Sequence, residues 1–555
     1  MWGFVKTIIK NVGCAICVIP LWLISTYAQA VITDNLTIGN AKALSLGHAV
    51  TADPPGIDSV HYNPAGLIRL QGRQAELKLV TGKLGVKLVF DDHYTPDWSA
   101  RLQAAQEGAP EGFTNDPALG QTSQTDGAAL MLPFFGMTHV PVLFAPLGGV
   151  SYSLPNRDMT VATNVYAPLM VGFSRGKDDP GHYIGEALSL TLLTYFSPSL
   201  AIKVNDDFAI GGAITFNYAA AGLKFAFREP NVAIQWLEKQ RQGSCNPDAN
   251  PSGYYGFSDL LPCVPADEAL KLYGDIAHLD LQVEEPLTLG MNVGFLWDVT
   301  PWLHLGAVYQ SPVRMNMKGD FTWLNSDRFQ NYLGAIDKVS PVPLASLGPL
   351  GSLMNPVTRG TANIALTMPD HFAVGTSVNV TGNLKVNMDL KFTRWSLWKK
   401  LPIRYSQPIG VIAIAGLVQP DVAPSPIGQA MDLNLGFKDG WNYAVGMEYQ
   451  WNPHLALRLG FEDRPSSIPK EARSPVIPIG DAKLYAIGAE YKTDSSHIFN
   501  VALSTLRSSI YMPGNTSKLG NSEDPALLIY NPYSGMGIQG KLDILLFETS
   551  YRFVW

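Results

Sequence analysis

Polar and hydrophobic residues alternate with a period of two along most of this chain, most legibly at its end. From Leu545 onward one face carries Leu545, Phe547, Thr549, Tyr551, Phe553 and Trp555, and the other Leu546, Glu548, Ser550, Arg552 and Val554. An aromatic face set against Glu548 and Arg552 suits a strand with lipid on one side and a polar interior on the other. A half-buried strand of a soluble sandwich alternates too, so the rest of the chain has to choose. The pattern recurs near 75–90, 147–154, 160–172, 187–204, 207–228, 277–298, 302–321, 361–381, 383–393, 440–450, 454–463, 482–492 and 496–507, which with 540–555 makes fourteen segments. In one of them Leu384, Val386, Met388, Leu390 and Phe392 oppose Lys385, Asn387, Asp389 and Lys391.

The gaps between these segments alternate short and long. Short ones are tight turns, such as Asn205-Asp206, Thr300-Pro301 and Trp451-Asn452-Pro453. Long ones cover about 91–146, 173–186, 229–276, 322–360, 394–439, 464–481 and 508–539. A sandwich does not require that alternation, whereas an outer-membrane barrel does, with turns on the periplasmic side and loops outside. The fold class expected is all-β, a transmembrane antiparallel β-barrel of about 14 strands.

Composition supports this reading. The start has Lys6 and Lys10, an apolar run from Val12 to Ile24, and Ala28-Gln29-Ala30, the pattern of a secretory signal ending at residue 30. Beyond it the longest apolar run is Ile409 to Val418, far short of the roughly 20 residues that a spanning helix needs. Backbone groups find no partners in hydrocarbon, so a crossing must use strands closed into a barrel. Without Lys6 and Lys10, the 40 basic residues against 47 acidic ones leave a net charge of about −9 with no block of one sign, which disfavours nucleic acid as a partner. Of four cysteines, Cys14 and Cys17 leave with the signal; Cys245 and Cys263 remain and are expected to form one disulfide in an oxidising compartment, the alternative being two thiols. The chain thus divides into a signal at 1–30, an N-terminal segment at 31–73 without strand periodicity, and a barrel at 74–555.

Several short motifs, in order, carry a specific likeness. They are Asn63-Pro64-Ala65, Tyr166-Ala167-Pro168, Ser197-Pro198-Ser199-Leu200-Ala201, Tyr309-Gln310-Ser311-Pro312-Val313, Thr393-Arg394-Trp395-Ser396, Gly436-Phe437-Lys438-Asp439, Arg458-Leu459-Gly460-Phe461 and Ile479-Gly480-Asp481. From about Ala41 to Trp555 the chain resembles the long-chain fatty acid outer-membrane transporter (FadL) family, some members of which are associated with aromatic hydrocarbons. Trp555 is a mild departure, since that family more often ends in Phe. The resemblance implies a fourteen-stranded barrel in the cell outer membrane, plugged by an N-terminal hatch containing Asn63, Pro64 and Ala65. It also implies passive inward passage of a hydrophobic small molecule, a fatty acid or a hydrocarbon, without ATP or a periplasmic energy coupler; no cofactor is expected. In the family the substrate is held first at the loops, then in the lumen, and leaves sideways through a gap at a kink in the third strand. Ala167 and Pro168 fall in the third strand here, and a proline removes a ladder donor where such a break would sit. The partners expected are that substrate and outer-membrane lipid, with the barrel acting as a monomer.

Strand parity nominates lumenal cations for a carboxylate. Arg314 and Lys318 share a face with His304 and Gln310, and Arg458 opposes Leu457, Leu459 and Phe461. A guanidinium can hold a carboxylate by two charge-assisted bonds, although Glu448, Glu462, Glu490 and Glu548 could pair with the same cations as scaffold. Apolar stretches at Ile409 to Val418 and Pro343 to Met354 fall in long loops, where they form either a ligand groove or packing between loops. An enzyme reading has one foothold. Gly172-Phe173-Ser174-Arg175-Gly176 fits the G-x-S-x-G form, but that motif needs a following helix and Lys177-Asp178-Asp179-Pro180-Gly181 reads as a loop. No catalytic residue and no metal site is expected; Asp91-Asp92-His93 reads as solvated loop.

Overall fold

A computed structural model describes residues 36–106, 116–155, 158–228, 273–339, 342–418, 423–425, 427–524 and 531–555. The signal segment, Cys245, Cys263 and Val232, Ile234, Trp236 and Leu237, whose spacing predicts a short amphipathic helix beside the cysteine loop, lie outside the described residues.

The alternating segments become fourteen strands of one closed antiparallel wall. These are β1 (Arg73–Tyr94), β2 (Leu143–Ser153), β3 (Met159–Ser174), β4 (Ala187–Phe196 and Ser199–Lys203), β5 (Phe208–Arg228), β6 (Asp275–Thr300) and β7 (Leu303–Gln310 and Val313–Asn325). They continue as β8 (Val357–Met368 and His371–Asn379), β9 (Leu384–Thr393 and Lys400–Tyr405), β10 (Ala430–Asn434 and Gly440–Asn452), β11 (Leu455–Arg464), β12 (Ala482–Lys492), β13 (His497–Met512) and β14 (Met536–Val554). Each pairs with its neighbour in sequence, and β14 returns to β1 in one register from Gln74↔Val554 to Phe90↔Ile538, with a shift before Tyr94↔Met536. Closure leaves no edge strand to solvate, which is the condition for crossing hydrocarbon. Near the short turns the outward positions are large and apolar, among them Met291, Phe295 and Trp297 on β6, Leu457 and Leu459 on β11, and Val501 and Leu503 on β13. Such an exposed apolar belt fits lipid contact.

The residues ahead of β1 lie inside the wall at its short-turn end. Helix α1 (Ala41–Ser45) is capped by Asn40, whose side chain accepts from the Ala43 amide, and a second short helix, α2 (Ser59–Tyr62), leads into a 3-10 turn at Pro64–Arg69. The inner wall is notched to admit them. A Cβ added at Gly460 would come within 2.1 Å of the Gly47 amide nitrogen, and one at Gly294 within 2.0 Å of Asn63 Oδ1. Polar anchors cross the same boundary: Asp389 Oδ2 accepts from the amides of Val50 and Thr51, each at 2.9 Å.

Two features depart from plain alternation. In β7 the break at Ser311-Pro312 reverses parity, so that Val313, Met315 and Met317 turn inward and are buried. The region read as one loop at 91–146 contains a helix, α3 (Pro96–Gln106), and a hairpin of Ala128–Leu132 with Gly136–Val140. That hairpin lies against the outside of the wall. Gly172, Ser189, Gly222 and Gln282 form one row across β3 to β6, and all four touch it. Met131 N donates to Ser189 Oγ (2.8 Å), Met137 N donates to Gln282 Oε1 (3.0 Å), and a Cβ at Gly172 would strike the Ala129 carbonyl.

Candidate functional site

Above the N-terminal segment the inward side chains of the wall change from charged to aliphatic. Leu84 and Val86 of β1, Val171 and Phe173 of β3, Leu190 of β4, Leu223 and Phe225 of β5 and Leu366 of β8 enclose a cavity of about 190 Å³. Apart from Gly172 and Ser189 every residue around it is aliphatic, aromatic or proline. A smaller cavity of about 80 Å³ adjoins it toward the long loops and shares Leu223, Phe225, Leu433, Leu435, Val476 and Ile477. A third, of about 30 Å³, shares Leu84, Val171 and Gly172 and reaches Leu36, Leu130, Leu143 and Met170 at the wall. The three form one apolar column from the loop end of the lumen to the side of the barrel.

The column meets the wall where its pairing is interrupted. The β2–β3 ladder runs from Ser153↔Thr160 only to Gly148↔Val165, although β2 continues along β1 to Leu143 and β3 continues along β4 to Ser174. The β3–β4 register shifts between Tyr166 and Leu169, so Ala167 and Pro168 form a bulge. A proline has no amide hydrogen to donate there, and the Ala167 carbonyl instead accepts from Thr37 Oγ1 at 2.9 Å. Leu130 of the outer hairpin packs with Leu143, Ala167 and Met170 across the opening.

Two cations border the column. Lys83, beside the wall opening, is exposed on the outer face. Arg228, at the loop end, is buried and already engaged: it donates to Asp116 through Nη1 (2.8 Å) and Nη2 (2.6 Å), and its guanidinium lies over the rings of Tyr183, Tyr273 and Tyr533. Burial, reinforced by a hydrogen bond to Asp275, pushes the Tyr183 phenol well above its ordinary range, so it stays neutral at this rim. The column therefore offers a cargo hydrocarbon contact and few charges.

The cations nominated by parity lie elsewhere. Arg314 and Lys318 are exposed on the outer face above the belt, because the break at Ser311-Pro312 reverses the parity that placed them inside. Arg458 does face the lumen, but at the short-turn end below the apolar column. There Nε donates to Glu448 (2.6 Å), Nη2 to Glu490 (2.7 Å) and Nη1 to Asn500 (2.7 Å), which makes it part of the scaffold. Asn63 ties the inner segment to the wall, donating to the carbonyls of Thr51 (2.8 Å) and Phe295 (3.0 Å), while Pro64 starts the following turn. Of the apolar loop stretches, Ile409 to Val418 forms a helix over Gly410–Val418 that packs on the 3-10 turn Gly348–Met354, so these two cover each other. Ser174 ends β3, donates to Asp126 (2.8 Å) and is followed by loop, which removes the elbow that a nucleophile would need. Parity could not reveal the column itself, because its residues come from many strands and from several loops rather than from one alternating run.

Comparison with known proteins agrees with this architecture. Over residues 21–518 the chain matches the family described as outer membrane protein transport protein (OMPP1/FadL/TodX). It is 23% identical to the long-chain fatty acid transport protein of Escherichia coli K12 over 245 residues, which cover 44% of this chain and 45% of that relative. The chain thus spans about half the length of the curated relatives it matches. Among solved structures it is similar in fold to a Pseudomonas aeruginosa FadL homologue (TM-score 0.62, 15% identity, covering 95% of this chain and 100% of that one). A second likeness in fold is to the Ralstonia pickettii toluene transporter TbuX (TM-score 0.55, 15% identity, covering 93% and 98%).

Proposed function

The chain belongs to the OMPP1/FadL/TodX family of outer membrane transport proteins, and from that premise we propose that it carries hydrophobic compounds inward by diffusion, long-chain fatty acids foremost. The observation that carries this reading is the apolar column of three adjoining cavities from the loop end of the lumen to the interrupted β2–β3 ladder. A cargo enters among the loops, rests in the column and leaves sideways past Ala167 and Pro168. The segment 36–72 serves as the hatch that keeps small hydrophilic solutes from passing straight through. The barrel works as a monomer, without catalytic chemistry.

Affinity comes from the tail. At about 0.8 kcal/mol for each buried methylene, ten of them contribute about 8 kcal/mol, near micromolar before ordering costs. A second cargo class, aromatic hydrocarbons, is favoured by the engaged state of Arg228 and by the size of the main cavity. Its volume of about 190 Å³ is on the scale of the roughly 150 Å³ apolar cavity known to take up benzene. Equilibrium binding of a labelled long-chain fatty acid, competed with its methyl ester and with toluene, separates these cargos. Acid favoured over ester and toluene supports fatty acid; toluene competing well, with acid and ester equal, supports hydrocarbon. No saturable binding of any of the three overturns the reading.

A further inference from the structure

Charge on the outer wall is arranged differently on its two sides. Above the belt on β5, β6 and β7 the register sets opposite charges against each other: Lys224 faces Asp280, with Nζ 3.1 Å from Oδ2, and Lys318 faces Glu284. Across β12, β13, β14 and β1 it sets like charges against each other. Lys87 faces Lys541, and Lys483 faces Arg507, all four exposed. Lys83 adds a further exposed cation beside them; Asp543, 3.5 Å from Arg507 Nε, lies between the two pairs, and Asp463 of β11 faces Lys483 from the other side.

Like charges directly opposite on paired strands are destabilising. Asp463 and Asp543 flank the Lys483 and Arg507 pair; among the described residues no acid faces Lys87 or Lys541 across the ladder, and an anion seated between the two cations would relieve either pair. Their height is set by register. Tyr485, Thr505 and Leu545 form the outward row immediately below, which is the top of the lipid belt, so the cations sit at headgroup level. With strands about 4.8 Å apart and two residues rising about 6.8 Å, the centres of the two like-charge pairs lie about 12 Å apart.

We infer that this face is a binding site for an outer-leaflet lipid whose headgroup carries two phosphates, a bisphosphorylated disaccharide glycolipid. One phosphate lies between Lys87 and Lys541, the other between Lys483 and Arg507, and the acyl chains follow the belt below. Arginine and lysine hold phosphate oxygens by charge-assisted hydrogen bonds, and screening by salt is weaker at the edge of the hydrocarbon than in open water.

The test measures binding of a bisphosphorylated glucosamine-disaccharide lipid to the purified barrel in neutral detergent, against its monophosphorylated form and against inorganic phosphate. The variants are Lys87→Gln/Lys541→Gln and Lys483→Gln/Arg507→Gln, with Lys224→Gln/Lys318→Gln as control and resistance of the unheated barrel to denaturation in SDS as the fold check. Binding at least tenfold weaker in each patch variant, unchanged in the control, weaker for the monophosphorylated lipid and absent for inorganic phosphate is expected. Wild-type affinity in both patch variants, or an equal loss in the control, overturns the site. Inorganic phosphate binding as tightly as the lipid overturns the lipid assignment.

Discussion

Replacing Asp58 with Ala should unseat the hatch. The Asp58 carboxylate is fully buried and accepts from Lys78 Nζ (2.5 Å), Asn164 Nδ2 (2.5 Å) and Asn40 Nδ2 (2.7 Å). Lys78 belongs to β1 and Asn164 to β3, whereas Asp58 and Asn40 belong to the inner segment, so this one carboxylate joins hatch to wall twice. Alanine would leave the Lys78 ammonium buried without its counter-charge, a change that costs about 3–5 kcal/mol. The ladders of β1 and β3 do not depend on Asp58, so the loss falls on hatch docking. At about 1.4 kcal/mol per tenfold, even the lower figure shifts the seated-to-unseated ratio by roughly a hundredfold. Planar-bilayer conductance reads this directly: wild type should be nearly silent to small ions and Asp58→Ala should open frequently. The double variant Asp58→Ala/Lys78→Met removes both charges and should recover most of the silence, as a coupled pair requires. Wild-type silence in Asp58→Ala, with the barrel still resistant to SDS, would refute the reasoning.

Four further outcomes follow from the geometry. Gly294→Val places a Cβ within 2.0 Å of Asn63 Oδ1 and should raise conductance as Asp58→Ala does. Ala221→Trp fills the main cavity; cargo binding should weaken at least tenfold in the competition assay while SDS resistance is kept. Arg458→Ala strands the carboxylates of Glu448 and Glu490 and should destabilise the barrel by about 3–5 kcal/mol in thermal unfolding, yet leave the preference for acid over ester unchanged. Gly172→Val drives a side chain into the Ala129 carbonyl and should lift the outer hairpin, read as faster proteolysis within 128–140 and faster uptake of a labelled cargo.

The wall was legible because its signal is local. Each alternating segment covers eight or more residues, where lipid and lumen make opposite demands, and all fourteen segments appear in the fold. Legibility failed where both faces meet protein. Lys400–Tyr405 and Ala430–Asn434 extend β9 and β10 beyond irregular stretches at 394–399 and 435–439, and neither is long enough to alternate visibly. The hairpin strand Ala128–Leu132 is apolar throughout because both of its faces are covered, so it shows no alternation and fell within the gap read at 91–146. Arg314 and Lys318 were misplaced by a two-residue break that resets parity without altering composition. Arg458 was placed inside by parity, but its three side-chain partners come from β10, β12 and β13, and no local pattern could have announced them.

The seam between β1 and β14 bears on how such a molecule can be made. Arg73 and Trp555 exchange both backbone hydrogen bonds, at 3.0 and 2.9 Å, so the end of β14 closes onto the first residue of the wall. This pairing has the greatest sequence separation of any in the barrel, and contacts of that kind form late and slowly. The hatch runs directly into β1 and precedes every strand in the order of synthesis. A sealed wall offers no route for threading that segment in afterwards, so it is expected to be seated before β1 and β14 pair, and removal of Trp555 is expected to slow that closing step, read as a longer-lived heat-modifiable intermediate during refolding in detergent.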